Sequence, residues 1–179
     1  MNLFWLLDHP RKAVRLYGHK HVNKMLLEAT QLMSNAYHHH GAKGPYRATH
    51  MRHPWSLWAA RRRRHFRLLG AFAVALCLEY TSRRKRVHGC QKHVLFMLRH
   101  PPPICRKTRP EHLATTKFAM AGRERVPLCM PEQFHHPVAS VAYRRYYADK
   151  MASLMRKTPW RQHYGGYAGR FMTLCAMAN

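Results

Sequence analysis

The sequence predicts an all-α fold, a single helical domain of about four helices packed round a central buried helix at about 54–83. Apolar residues recur every three or four positions over long stretches, as they do on the buried face of a helix. Residues 68–78 are apolar on every side of such a helix, which must therefore be buried all round. These 11 residues are too few to span a bilayer, so they indicate the centre of a protein core.

The first predicted helix begins near the N-terminus. Asp8 is a suitable N-cap, and Pro10 can occupy the first helical turn, where a missing N–H costs nothing. The helical spacing of apolar residues continues to about Tyr37, and residues 38–45 read as a loop. Pro54 then opens the central helix.

The second half of the chain has weaker patterns. A short apolar segment at 93–98 precedes three prolines at 101–103, which form a rigid extended linker. The region that follows predicts loops with one short helix near 116–121, and a last amphipathic helix is expected at 137–156. The predicted organisation is a basic helical domain at 1–160 and a C-terminal tail at 161–179 that is rich in glycine and aromatic residues.

The charge of the chain indicates an anionic partner. Lys and Arg number 32 against seven Asp and Glu, a net charge of +25. Self-repulsion of this size destabilises a compact protein unless counter-charge is supplied, and nucleic acid phosphates supply it. The hydrophobic fraction of 46% argues against a disordered basic tail. No basic helix with a clean apolar opposite face is visible, so a membrane surface is not the predicted partner.

Four consecutive arginines, Arg61–Arg64, occupy the first half of the predicted central helix. At about 100° per residue they surround the helix axis, and Arg62 shares a face with Trp58 and Phe66. Unpaired guanidinium groups do not enter an apolar core. This half of the helix must project into water or into a polyanion, and a merely solvated helix start is the alternative.

Arginines alternate with aromatic residues in three segments, PWSLWAARRRRHFR, VAYRRYYADK and WRQHYGGYAGRF. Stacking on aromatic planes combined with phosphate contact is how single-stranded or looped RNA is bound. Ordinary helix packing is the alternative, and it is preferred for Tyr147. The predicted RNA-binding residues are Arg61, Arg62, Arg63, Arg64, Arg67, Arg83, Arg84, Lys85, Arg86, Lys20, Lys24, His50, His53, Arg144, Arg145, Arg161, Tyr164, Tyr167 and Arg170.

Neither a metal nor a cofactor is predicted. The five cysteines form no CxxC pair, and their use suggests a reducing compartment. Histidines 19 and 21 could bind a metal together with His50 and His53, but a phosphate or base-edge site uses the same groups better. The third interpretation is that these histidines cap helices and donate hydrogen bonds to loop carbonyls.

Evidence for an enzyme is sparse. The acids are spread singly, and no GxSxG, P-loop, GxGxxG or HExxH motif is present. Glu28 shares a helix face with His21 and Lys24, so these three are the candidate catalytic residues if the protein is an enzyme.

Six segments carry a family resemblance in order along residues 1–160: LDHPRKAVRLYGHKHVNKMLLEATQLMSNA, PYRATHMRHPWSLWAA, LCLEYTSRR, MPEQF, HPVASVAYRRYYADKMA and KTPW. The chain resembles a family of small, largely uncharacterised helical proteins encoded mainly by bacteriophages and large DNA viruses. Its first helix is also similar to that of the phage pyrimidine-dimer DNA glycosylases.

The chain departs from the family pattern at several polar positions. Lys20, His21 and Lys24 match the first motif and His53-Pro54 the second, as the resemblance implies. Gly18 and His19 replace a Cys-Asp pair, Arg52 and Trp55 replace an Asn and a Cys, and arginines replace an Arg-Glu-Ser run. If the relatives are enzymes, the resemblance implies that this chain has lost the activity and kept the scaffold.

We therefore expect an RNA-binding structural component of a large ribonucleoprotein, packed against ribosomal RNA and neighbouring proteins. A mitochondrial ribosome is the expected particle, with the cytoplasm of a phage-infected host as the other location. The alternative function is a DNA-processing enzyme of glycosylase or nuclease type that acts on damaged or modified DNA. A DNA-packaging protein without catalysis is a third hypothesis.

Overall fold

A computed structural model of the chain describes residues 3–104, 116–157 and 168–178. Within these ranges the chain forms seven α-helices and one two-stranded antiparallel sheet, which confirms the prediction of a mostly helical fold. The described residues divide into two compact units: Leu3, 25–104 and 116 form the first unit, and 4–24, 117–157 and 168–178 form the second.

The helices are α1 (Pro10–Arg15), α2 (His19–His39), α3 (Pro54–Arg61), α4 (Arg63–Arg84), α5 (Gln91–Arg99), α6 (Ala139–Lys157) and α7 (Ala168–Ala178), and the strands are β1 (Phe118–Ala121) and β2 (Glu124–Pro127). Seven helices replace the predicted four, partly because two of the expected helices are each broken in two.

The first expected helix is interrupted at residues 16–18, between α1 and α2. The backbone N–H of Gly18 donates to the hydroxyl of Tyr147 over 2.9 Å, in place of a helical carbonyl. Pro10 lies in the first turn of α1 as predicted, but the N-cap position is His9. Asp8 instead accepts a hydrogen bond from the indole N–H of Trp5, so the prediction of an Asp8 cap and a continuous helix to Tyr37 is wrong.

The expected central helix over 54–83 is also two helices, and the prediction of one helix is wrong. The backbone at Arg62 is extended, with φ −146° and ψ 142°, between the end of α3 and the start of α4. A continuous helix would turn Arg62 toward the face of Trp58 and Phe66, which are both buried. The break leaves Arg62 exposed, which avoids the cost of burying an unpaired guanidinium.

Complete burial of residues 68–78 is the second expectation that fails for this region. Leu69, Phe72 and Leu76 are fully buried in the core of the first unit. Leu78, however, is 50% exposed, and Ala71 also faces solvent. Helix α4 therefore has one face that the described residues leave open.

A β-hairpin occupies the place of the short helix expected near 116–121. Ala119, Ala121 and Val126 are buried at alternate positions, which is the period of a strand and not of a helix. Gly122, with φ +58°, is the first residue of the two-residue turn, where a positive φ favours glycine. The Tyr143 hydroxyl of α6 donates to the Pro127 carbonyl over 2.6 Å and ties the hairpin to that helix.

The last amphipathic helix is confirmed as α6. Residues 168–178 of the predicted tail are helical, and this helix, α7, packs on α6. The Arg144 guanidinium joins them, because its Nε donates to the Met177 carbonyl over 2.9 Å. Residues 161–167 of the predicted tail lie outside the described residues.

Replacing Gly44 with alanine is expected to destabilise the protein by about 1–3 kcal/mol, the usual cost of overpacking. A Cβ at Gly44 would lie 2.7 Å from the carbonyl oxygen of Ser34, whose backbone in α2 cannot yield easily. Urea unfolding measures the effect. Gly89→Ala is the matched control, because a Cβ there meets nothing within 4 Å, and equal stability of the two variants would contradict the prediction.

Candidate nucleic-acid interface

The arginines around the α3–α4 break form a dense basic surface in the first unit. We call Arg61, Arg62, Arg63, Arg64 and Arg67 the break cluster. Arg61 is half-buried and the other four are exposed. Among the described residues, no carboxylate forms a salt bridge with Arg62, Arg63 or Arg67. Their charge is therefore available to an external anion.

A histidine fixes the geometry of the break. The His65 ring, in the first turn of α4, lies parallel to the Trp58 ring with 4.2 Å between centroids and 6° between planes. Its Nδ1 also donates to the Trp58 carbonyl over 2.8 Å, at the end of α3 where helical carbonyls lose their partners. Because both residues are buried, this pair sets the direction in which the break cluster leaves the core.

Three consecutive histidines at the end of α2 hold the loop that leads to the break. His38 Nε2 donates to the Tyr46 carbonyl over 2.7 Å, and His40 Nε2 to the Ala60 carbonyl over 2.8 Å. His39 Nε2 lies 3.1 Å from the Met51 carbonyl and 3.3 Å from the Ser56 hydroxyl. The sequence placed these residues only in a loop, and no local pattern predicts which carbonyls they reach.

The second predicted basic segment, at 83–86, is only partly available to a ligand. The side chain of Arg83 is 1% exposed, and its guanidinium pairs with the Glu79 carboxylate over 2.7 Å. Arg83 therefore stabilises α4 and is not part of the basic surface. Arg84, Lys85 and Arg86 are exposed, and Arg86 also donates to the Tyr80 hydroxyl over 3.1 Å.

The two predicted histidines that flank the break differ in role. His53 Nδ1 accepts the backbone N–H of Trp55 over 3.2 Å and caps α3, with Pro54 in the first helical turn. This local capping explains the His-Pro pair without any ligand. His50 is exposed, has a positive φ of 48°, and bonds the neighbouring Thr49 hydroxyl.

The residues nominated from the first helix do not face one environment. His21 is buried, and its Nδ1 lies 2.8 Å from the Tyr147 hydroxyl, which also accepts the Gly18 N–H. Lys20 and Lys24 are exposed, and Glu28 is half-buried. Within the described ranges, no group of three or more His, Cys, Asp or Glu side chains is placed to hold a metal ion.

The predicted residues of α6 and α7 divide in the same way. Arg144 is half-buried and bonds the carbonyls of Met177 and Leu6, and burial lowers its pKa. Arg145 is exposed, and Arg170 donates to the Arg15 carbonyl over 3.2 Å. The remaining predicted residues of this region, Arg161, Tyr164 and Tyr167, lie outside the described residues.

The three tyrosines of α6 differ in how deeply they are buried. Tyr143 and Tyr147 are fully buried, so the preference for a packing role at Tyr147 agrees with its position. Tyr146 is half-buried between Phe134, with ring centroids 5.4 Å apart, and the Lys150 ammonium, 5.9 Å from its ring. Sequence spacing alone did not separate Tyr146 from its buried neighbours.

Comparisons of the chain with models of protein families, with curated proteins and with solved structures yield no match. In the part of the chain that the structure describes, no helix combines the length and the apolar character needed to cross a membrane.

The free energy of unfolding is expected to fall as the pH is lowered from about 7.5 to 5.5. Burial is the main cause that lowers the pKa of His39, His88 and His93 below the ordinary value of 6.5. Below pH 6.5 the unfolded chain therefore takes up protons that the folded chain still refuses. The contribution of these histidines to the free energy of unfolding is complete above about pH 6.5 and is lost progressively below it. Urea unfolding at a series of pH values measures the loss.

His39→Gln tests the contribution of one of these groups. Glutamine keeps an N–H donor that can reach the Met51 carbonyl, but it cannot be protonated in this range. The variant should therefore lose less stability than the wild type between pH 7.5 and 5.5. The same loss in both proteins would contradict a role for His39.

Proposed function

We propose that the protein is an RNA-binding structural component of a large ribonucleoprotein. The observation that carries the proposal is the break cluster: in a chain with 32 basic and seven acidic residues, α3 and α4 are separated at Arg62, and four of the five arginines of the cluster are exposed. A buried core and an unbalanced surface charge occur together in proteins that receive counter-charge from a polyanion.

The placement of the cations supports phosphate contact more than base reading. Arg62, Arg63 and Arg67 are exposed on α4 and its N-terminal junction, while Arg84 and Lys85 are exposed at the other end of that helix. The 22 residues of α4 extend about 33 Å, which separates the two basic ends. Contacts at both ends fit two stretches of sugar-phosphate backbone, with little sequence specificity.

RNA is preferred over duplex DNA because the exposed arginines occur with half-buried aromatic side chains. The pair Phe134 and Tyr146 in the second unit, with Lys150 beside the Tyr146 ring, resembles the aromatic and cationic groups that contact unpaired bases. Unpaired bases are frequent in folded RNA and rare in duplex DNA.

A mitochondrial ribosome is the particle that we propose to test first. Co-sedimentation with ribosomal particles at low salt is the expected result. Release of the protein at high salt is also expected, because the binding depends on phosphate neutralisation.

The triple variant Arg62→Gln/Arg63→Gln/Arg67→Gln is expected to weaken binding to a structured RNA and to flatten its dependence on salt. Each phosphate contact that is lost should reduce the slope of log affinity against log salt by about 0.7–0.9. Fluorescence anisotropy with a labelled ribosomal RNA fragment at several salt concentrations measures both effects. Duplex DNA at equal salt provides the comparison of nucleic-acid class.

The matched control removes the same number of charges elsewhere. Arg11, Lys12 and Arg123 are exposed on α1 and on the hairpin turn, and their triple glutamine variant should change the slope less. If both variants lose the same slope, net charge and not the break cluster determines binding. If the wild type binds no RNA at low salt, the proposal fails.

A further inference from the structure

The exposed face of α4 has an apolar centre between two basic ends. Val74 is half-buried and Leu78 is 50% exposed, and their spacing places them on one side of the helix. Arg67 lies two turns before Val74 on that side, and Lys85, the C-cap residue with a left-handed backbone, follows the end of the helix seven positions after Leu78. Both cations are exposed. The sequence of this face is therefore cation, apolar, cation.

Helix α5 extends the same surface. It runs antiparallel to α4, because a Cβ on Gly70 near the start of α4 would overlap the Leu98 side chain near the end of α5. Leu95, one turn before Leu98, is 51% exposed, and in an antiparallel pair it is level with Val74, one turn after Gly70. Val74, Leu78 and Leu95 form the floor of what we call the α4–α5 groove.

Cations also flank the apolar part of α5. Lys92 and Arg99 are exposed, one turn before and one turn after Leu95 and Phe96, and Phe96 is itself 51% exposed. The acid nearest to this surface in the sequence, Glu79, is buried and paired with Arg83. The groove is thus rimmed by positive charge at both ends.

We propose that the α4–α5 groove binds an acidic amphipathic helix of a partner protein. An apolar floor needs an apolar ridge, which a helix provides with residues at i, i+3 or i+4, and i+7. The rim cations select carboxylates before and after that ridge, and the separation of 18 positions between Arg67 and the C-cap Lys85 corresponds to about 27 Å, or five helical turns. This inference goes beyond RNA binding and does not rest on it.

Charge and polarity favour this occupant over two others. A second copy of the chain would bring a net charge of +25 to a basic rim, which is repulsive. An RNA would satisfy the rim cations, but its base faces stack on planar side chains, and the floor residues Val74, Leu78 and Leu95 are aliphatic. Leu78 and Leu95, each about half exposed, give this surface aliphatic groups that a partner helix can cover.

The test uses the full chain and a labelled synthetic 20-residue helical peptide. The peptide has leucines along one face of its central turns and glutamates in its first and last turns, and its partner peptide has the same composition with the leucines distributed round the helix. Fluorescence anisotropy should show the first peptide binding roughly tenfold or more tightly than the second.

Two protein variants locate the site. Leu78→Ser/Leu95→Ser should weaken binding of the first peptide by roughly tenfold or more, whereas Leu27→Ser, which changes a 48% exposed leucine on α2, should not. Lys92→Glu/Arg99→Glu should weaken binding with the floor intact, which keeps the test valid if the serine variant folds poorly. Circular dichroism compares the folding of all variants.

Several results would overturn the inference. Equal binding of the two peptides would show attraction by net charge alone, and unchanged binding by both groove variants would place the peptide elsewhere. A photo-crosslinking residue at position 95 identifies the occupant when peptide and ribosomal RNA are both present. Crosslinks to RNA or to a second copy of the chain would contradict a helix-binding groove. Arg67 belongs to both surfaces, so the double variant Arg62→Gln/Arg63→Gln separates the two proposals: it should weaken RNA binding and leave binding of the first peptide unchanged.

Discussion

The conflict between an apolar interior and a run of arginines governs the structure of the first unit. Trp58 and Phe66 must be buried, and Arg62 falls between them on the face that a continuous helix would bury. The extended backbone at Arg62 resolves the conflict at the cost of interrupting the helix. His65, stacked on the Trp58 ring, then donates a hydrogen bond to the Trp58 carbonyl, which the interruption leaves without a helical partner. The break at Arg62 therefore allows the aromatic residues to be buried while the cations are exposed.

Histidine side chains supply many of the polar contacts in this protein that carboxylates and lysines supply in most proteins. With seven acids among 179 residues, few surface ion pairs are possible, and polar groups must be satisfied by neutral donors. Imidazole N–H groups of His38, His39, His40 and His65 reach carbonyls in the loop and at the end of α3. Since burial lowers the pKa of His39, the stability of the fold depends on pH.

Helix α4 joins the two surfaces that we assign to partners. Its N-terminal junction exposes the break cluster, and its open side exposes Leu78 between Arg67 and Lys85. Phosphates fit the first surface because they need only positive charge. An acidic helix fits the second because it needs positive charge and apolar contact in one place.

The sequence by itself determined the helical class, the core positions at helical spacing in α2 and α6, and the exposure of most arginines in the break cluster, because period and charge act locally. Tertiary structure decided the rest. It broke the helices at Arg62 and at residues 16–18, turned 118–127 into a hairpin, and paired Arg83 with Glu79. Each of these depends on a partner from another turn or another element, and residue order does not specify which partners meet in space.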